Sequence, residues 1–203
     1  MDALILVDIQ NDFTPGGALA VPRGDEVVPV ANALIRRLGV YVVATQDWHP
    51  PGHMSFASSH AGATPGDSLE TPGGPQTLWP DHCVQQTSGA SFHSGLDVAG
   101  IDYVIRKGAD PAIDSYSGFF DNDGKTSTGL DVLLAQRRVN RVVLAGLATD
   151  YCVLFTALDA RRLGFEVAVV RDACRAVGLS VSDEADAWRT MEAAGCVILE
   201  EAP

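Results

Sequence analysis

The clearest signal along the chain is a series of short, uniformly apolar runs, each ending in a polar or charged residue. Residues 3–7 are all apolar and run into Asp8, and residues 40–44 lead to Thr45, Gln46 and Asp47. Runs this short and this continuous fit strands buried on both faces of a parallel sheet. The same reading predicts strands at 102–106, ending at Lys107 and Gly108, at 142–147, at 166–170 and at 196–199. Between them the period changes to that of a helix. Val27, Val28, Val30, Ala31, Leu34 and Leu38 recur at helical spacing within 25–38, and Gly39 closes the pattern. Leu130, Leu133, Leu134 and Arg137 mark a second helix, Leu154, Phe155, Ala157 and Leu158 a third, and 185–194 a fourth. Strands alternating with helices predict an α/β fold: an open, mainly parallel six-stranded sheet with helices on both faces, a Rossmann-like three-layer sandwich. Residues 58–77, dense in Gly, Pro, Ser and Thr, read as a long irregular segment. It opens a loop-rich insertion of about 58–97 within one domain covering 1–203.

In sheets of this kind ligands bind beyond the carboxyl ends of the strands. Asp8, Asp47, Lys107 and the turn from Leu147 to Cys152 all fall at such ends. Taken singly, Asp8 fits a loop cap, Lys107 a solvated terminal charge, and Asp47 with His49 a surface turn. Their joint placement points to a shared cleft. Thr149 or Asp150 is positioned to cap the helix that follows, which puts Cys152 in its first turn, where unpaired N–H groups favour an anion. Alone, Cys152 would equally fit a small apolar residue packing a helix start. With a carboxylate and an ammonium nearby, it fits a thiolate nucleophile aimed at an acyl carbon, and the same N–H groups could hold an oxyanion.

That chemistry has a cost to overcome. Passing a proton from a thiol near pKa 8.5 to a carboxylate near 3.9 runs uphill by roughly 6 kcal/mol in water. Burial of Asp8 and a positive setting for Cys152 would close the gap, although Lys107 also stabilises ionised Asp8. Asp8 is the expected base and later acid, with Lys107 fixing its position. Asp47 and His49 lie two apart, so an extended backbone points both the same way, and His82 can complete a set of one carboxylate and two imidazoles. Three protein ligands with open positions mark a catalytic rather than a structural metal site. His53 reads equally well as a further ligand or a loop histidine; His60 and His93 read as surface residues, and Cys83 as facing the core.

Composition narrows the partners. At 203 residues and 46% hydrophobic, the chain can bury a sizeable core. Its formal net charge of -12 argues against nucleic acid or anionic membranes as partners, and no apolar run is long enough to span a bilayer. The N-terminus lacks a basic targeting region, so a cytoplasmic protein with a small-molecule substrate is expected. Four scattered cysteines, Cys83, Cys152, Cys174 and Cys196, show no pairing pattern. A homo-oligomer is compatible with all of this.

Together the motifs resemble those of nicotinamidases, also called pyrazinamidases, of the isochorismatase-like cysteine hydrolases. The resemblance rests on the runs Val7 to Phe13, Thr45 to Pro50, Trp79 to Gln85, Lys107-Gly108, Asp114 to Phe119 and Gly146 to Val153. It implies a triad of Asp8, Lys107 and Cys152, and a divalent metal on Asp47, His49 and His82, zinc first, with iron or manganese as alternatives. It further implies that Phe13, Trp79 and Tyr116 line a ring pocket in which the metal meets the pyridine nitrogen. A cis peptide before Ala148 would turn the Ala148 and Cys152 N–H groups toward the substrate oxygen. The implied reaction is hydrolysis of nicotinamide to nicotinate and ammonia through a thioester, in NAD salvage, with pyrazinamide as a further substrate. Another cysteine amidase of the same superfamily, or a silent binding protein, are the alternatives that the residues leave open.

Overall fold

A computed structural model of the chain describes residues 1–71 and 74–202. Strands β1 (Asp2–Val7), β2 (Tyr41–Asp47), β5 (Tyr103–Lys107), β6 (Arg141–Leu147), β7 (Glu166–Arg175) and β8 (Val197–Leu199) build a six-stranded sheet in the order β5-β2-β1-β6-β7-β8. Every pairing in it is parallel. Helices α1 (Val27–Leu38), α2 (Leu130–Gln136), α3 (Leu154–Arg162) and α4 (Asp183–Ala193) cover its two faces.

The alternation of β1 shows how the layers form. Ala3, Ile5 and Val7 face a core shared with Leu130 and Leu134 of α2, Ala157 and Ala160 of α3, and Trp188 and Met191 of α4. Leu4 and Leu6 point the other way, to Val27, Val28, Ala31 and Leu34 of α1. Both sets are buried, which is why β1 reads as a continuous apolar run. Helix α1 ends where expected, with Gly39 in the left-handed conformation at φ +58°.

The chain moves from β1 outward to β2 and β5, then returns to place β6 on the other side of β1. That reversal opens a crevice at the carboxyl ends of β1 and β6, the position where ligands bind in such sheets. A close approach seals its floor: a Cβ at Gly146, where φ is +131°, would stand 2.0 Å from the Val7 carbonyl oxygen.

Two expectations need correction. Residues 58–77 are not uniformly irregular, because β3 (Ser68–Thr71) and β4 (Gly74–Thr77) pair as an antiparallel ribbon. Its side chains are mostly exposed or half-buried, so no apolar alternation announced it; Pro72 and Gly73 lie outside the described residues. Strand β7 runs on to Arg175 rather than stopping near 170, because its register against β6 shifts between Leu144 and Gly146 and the bulge carries polar residues. Among the described residues, no helix is long and apolar enough to cross a membrane.

Candidate active site

Register brings the first groups together. Asp47 and Lys107 are direct partners at the ends of β2 and β5, and Asp8 follows the last residue of β1. Asp8 has φ +47°, a left-handed conformation that aspartate tolerates better than most residues. Its Oδ1 accepts the Thr45 hydroxyl at 2.6 Å. Lys107 is a fully buried cation. Its Nζ lies 2.9 Å from Asp8 Oδ2 and donates to Asp47, to the Ser115 carbonyl at 2.8 Å and to Cys152 Sγ at 3.4 Å. Asp8 Oδ2 has no hydrogen-bond partner besides this ion pair with Lys107. Oxygens of Asp8 and Asp47 and the Cys152 sulfur all fall within 4.8 Å of one another. A carboxylate able to take up a proton therefore lies beside the thiol.

Electrostatics corrects one expectation. Burial pushes Asp8 above the ordinary carboxylate range, outweighing Lys107. Burial would raise Asp47 too, but Lys107 and then His49 hold it well below that range. Lys107 resists its own desolvation because Asp47 and Asp8 carry it well above a normal lysine. For Cys152, burial dominates, and the charges of Asp8 and Asp47 add to it against the pull of Lys107, so the thiol sits well above its usual value. Burial thus works against the thiolate expected from a helix start. Nor do Thr149 and Asp150 cap the helix: Ala148 to Val153 form a wide turn, closed by the Val153 N–H on the Ala148 carbonyl at 3.0 Å, before α3 begins.

Asp150 has a different task, which sequence reading missed. Its two carboxylate oxygens accept the N–H groups of Val177 at 2.9 Å and Gly178 at 2.8 Å, pinning the loop after β7 beside the Cys152 turn. Asp150→Ala strands two backbone donors. It is expected to destabilise the protein by about 1–3 kcal/mol in urea titrations and to raise KM for a pocket ligand more than it lowers kcat, since Val177 lines the pocket.

The second group is a set of potential metal ligands. His49 Nε2 and His82 Nε2 lie 3.5 Å and 3.8 Å from Asp47 Oδ2. Each ring turns its other nitrogen to a backbone carbonyl, His49 Nδ1 to Gly108 at 2.9 Å and His82 Nδ1 to Pro80 at 2.8 Å. Those bonds place a proton on each Nδ1 and turn both Nε2 atoms toward the Asp47 carboxylate. Donor type, burial and mutual spacing within 4.8 Å fit one divalent cation. Asp47 thus spans both centres, one oxygen on Lys107 and the other toward the imidazoles. His53 is fully buried, its Nδ1 2.8 Å from Ser55 Oγ and its Nε2 2.9 Å from the Asp110 carbonyl, and with His49 and Asp114 it forms a second group whose spacing fits a metal ion. His60 and His93 are half-buried rather than on the surface, while Cys83 is buried in the core as read. All four cysteines are free thiols.

Both groups open onto a pocket lined by Phe13, Leu19, Asp47, Trp79, His82, Asp114, Tyr116, Ala148, Tyr151, Cys152 and Val177. The three aromatic residues expected there are present. The Trp79 indole N–H donates to Tyr116 Oη at 3.2 Å, and Tyr151 packs edge-on against Trp79 with ring centroids 4.8 Å apart. Tyr151 and Asp114 were visible only as members of longer motifs, and Leu19 and Val177 carried no signal at all. The peptide between Leu147 and Ala148 is cis, as the resemblance implied.

Comparison with known proteins agrees with this geometry. A family model described as the isochorismatase domain matches residues 2–202. The nicotinamidase of Escherichia coli (strain K12) is 50% identical over 199 residues, covering 97% of this chain and 93% of its own. Among solved structures, the nicotinamidase/pyrazinamidase of Acinetobacter baumanii superposes with a TM-score of 0.95 at 45% identity, covering 98% of this chain and 95% of that one. The pyrazinamidase of Pyrococcus horikoshii in complex with zinc superposes at 0.79 with 41% identity, covering 98% of each. Fold, site and similarity converge: the chain belongs to the isochorismatase family, on its nicotinamidase branch.

Proposed function

We propose that this protein is a nicotinamidase of NAD salvage, hydrolysing nicotinamide to nicotinate and ammonia through a thioester on Cys152, with pyrazinamide as a further substrate. The observation that carries the reading is that thiol and metal-ligand set open onto one aromatic-walled pocket. Asp8, Lys107 and Cys152 form the triad; Phe13, Trp79 and Tyr116 enclose the ring. Asp47, His49 and His82 would hold a divalent metal, zinc first with iron or manganese as alternatives, which when bound supplies a Lewis acid for a ring nitrogen. Residues 1–203 act as one domain, in which the insertion at about 58–97 delivers His82. Four free thiols suit a reducing compartment such as the cytoplasm.

The steps follow from proton positions. As the Cys152 sulfur bonds to the carboxamide carbon, its proton passes to the Asp8 carboxylate. A buried carboxyl already raised toward neutrality accepts it more readily than one in water. The backbone N–H groups of Ala148 and Cys152 receive the developing oxyanion. Protonated Asp8 then delivers the proton to the leaving amine, the C–N bond breaks, and ammonia departs. Ionised Asp8 next takes a proton from water, whose oxygen attacks the thioester carbon. Nicotinate leaves, and the sulfur recovers its proton from Asp8. Lys107 stays charged throughout and keeps Asp8 and Asp47 apart in function.

Ammonia release from nicotinamide by the purified protein tests the reading. His82→Ala, or chelation, is expected to raise KM by about 10- to 100-fold with a smaller fall in kcat. A chelated protein with unchanged kcat/KM removes the metal from the reaction, and a protein inert toward nicotinamide removes the substrate.

A further inference from the structure

The end of β5 serves both centres through two consecutive residues. Lys107 reaches Asp8, Asp47 and Cys152, and the next residue, Gly108, touches His49. Gly108 has φ +63°, and its carbonyl accepts His49 Nδ1–H at 2.9 Å. A Cβ built on it would stand 2.4 Å from His49 Cε1 and 2.7 Å from Nδ1. No side chain fits there unless the ring moves.

The ring has nowhere to retreat. His53 stacks against it with centroids 4.4 Å apart, His82 stands at 4.9 Å and Phe56 meets it edge-on at 5.6 Å. We propose that Gly108 is a positioning residue for metal binding: its carbonyl fixes the His49 tautomer, and its missing side chain is the space that the imidazole occupies. Because Gly108 follows Lys107 directly, one strand end also fixes the offset between the ammonium and the metal ligands. The inference rests on the reading of Asp47, His49 and His82 as a metal site.

The test is zinc affinity, measured by competition with a chelator on the full chain. Gly108→Ala is expected to weaken zinc binding about 10- to 100-fold, as loss of a ligand's outer partner does. Gly39→Ala is the matched control, since Gly39 has φ +58° but no atom within 4 Å of a built Cβ; it carries the backbone penalty without the collision and should bind zinc normally. In a His49→Ala background, adding Gly108→Ala should cause no further weakening, because the clashing ring is gone. Gly108→Ala protein with wild-type affinity overturns the inference, as does an equal loss with and without His49. Wild-type protein that binds no zinc overturns the underlying metal reading instead. Should Gly108→Ala not fold, nitrogen NMR of zinc-loaded wild type decides: a proton on His49 Nδ1 supports the inference, and a bare Nδ1 overturns it.

Discussion

Cys152→Ala is expected to reduce ammonia release from nicotinamide by roughly 10⁴-fold or more, as removal of a covalent nucleophile does, with the fold and pyridine binding retained. The residual rate would come from a pocket that still holds the amide but offers no atom able to bond to its carbon. Binding should survive because Phe13, Trp79 and Tyr116, the residues proposed to hold the ring, line the pocket and stay in place. The thiol is buried and burial favours its uncharged form, so alanine in its place should strand no charge, and thermal stability should stay near that of wild type. Calorimetry with nicotinamide alongside an ammonia assay separates the two effects. A variant that keeps substantial turnover would move the nucleophile to water or to another side chain.

Lys107→Met should cost far more stability than its single contact with sulfur suggests. The ammonium is 1% exposed and pairs with two carboxylates, Asp8 and Asp47, which are 0% and 4% exposed. Removing the cation takes from Asp47 its main counter-charge and from Asp8 its ion-pair partner, and breaking a buried pair in this way costs about 3–5 kcal/mol. Chemical denaturation is expected to show a loss of that order, with kcat falling as well because Asp8 loses its fixed position. A stability change under about 1 kcal/mol, the size typical of an exposed pair, would mean that water enters the site and screens both carboxylates.

How much of this was legible beforehand depends on which physical level decides each feature. The central strands were readable because burial on both faces writes itself as uninterrupted apolar runs, as in Leu4, Ile5 and Leu6. Asp8, Asp47 and Lys107 were readable because parallel strands gather their carboxyl ends, so a charge after an apolar run becomes a shared-site signal. Chemistry that depends on tertiary burial was not. A helix start argued for a thiolate at Cys152, yet full desolvation and two neighbouring carboxylates outweigh it. Asp150 looked like a cap on its own helix, but its partners, Val177 and Gly178, are some 27 residues away. The β3–β4 ribbon stayed hidden because neither strand buries a continuous face. In the sequence Gly108 is only the neighbour of a lysine; its relation to His49 exists solely in three dimensions.

The proposed reaction is covalent: the Cys152 sulfur is expected to carry the acyl group between loss of ammonia and attack by water. Rapid acid quenching during turnover, followed by mass spectrometry of the digested protein, tests it directly. The expected result is a nicotinoyl group on the peptide containing Cys152, present only while nicotinamide lasts and absent from Cys152→Ala. Turnover with no adduct on that peptide, under conditions where ammonia release precedes nicotinate release, would contradict it.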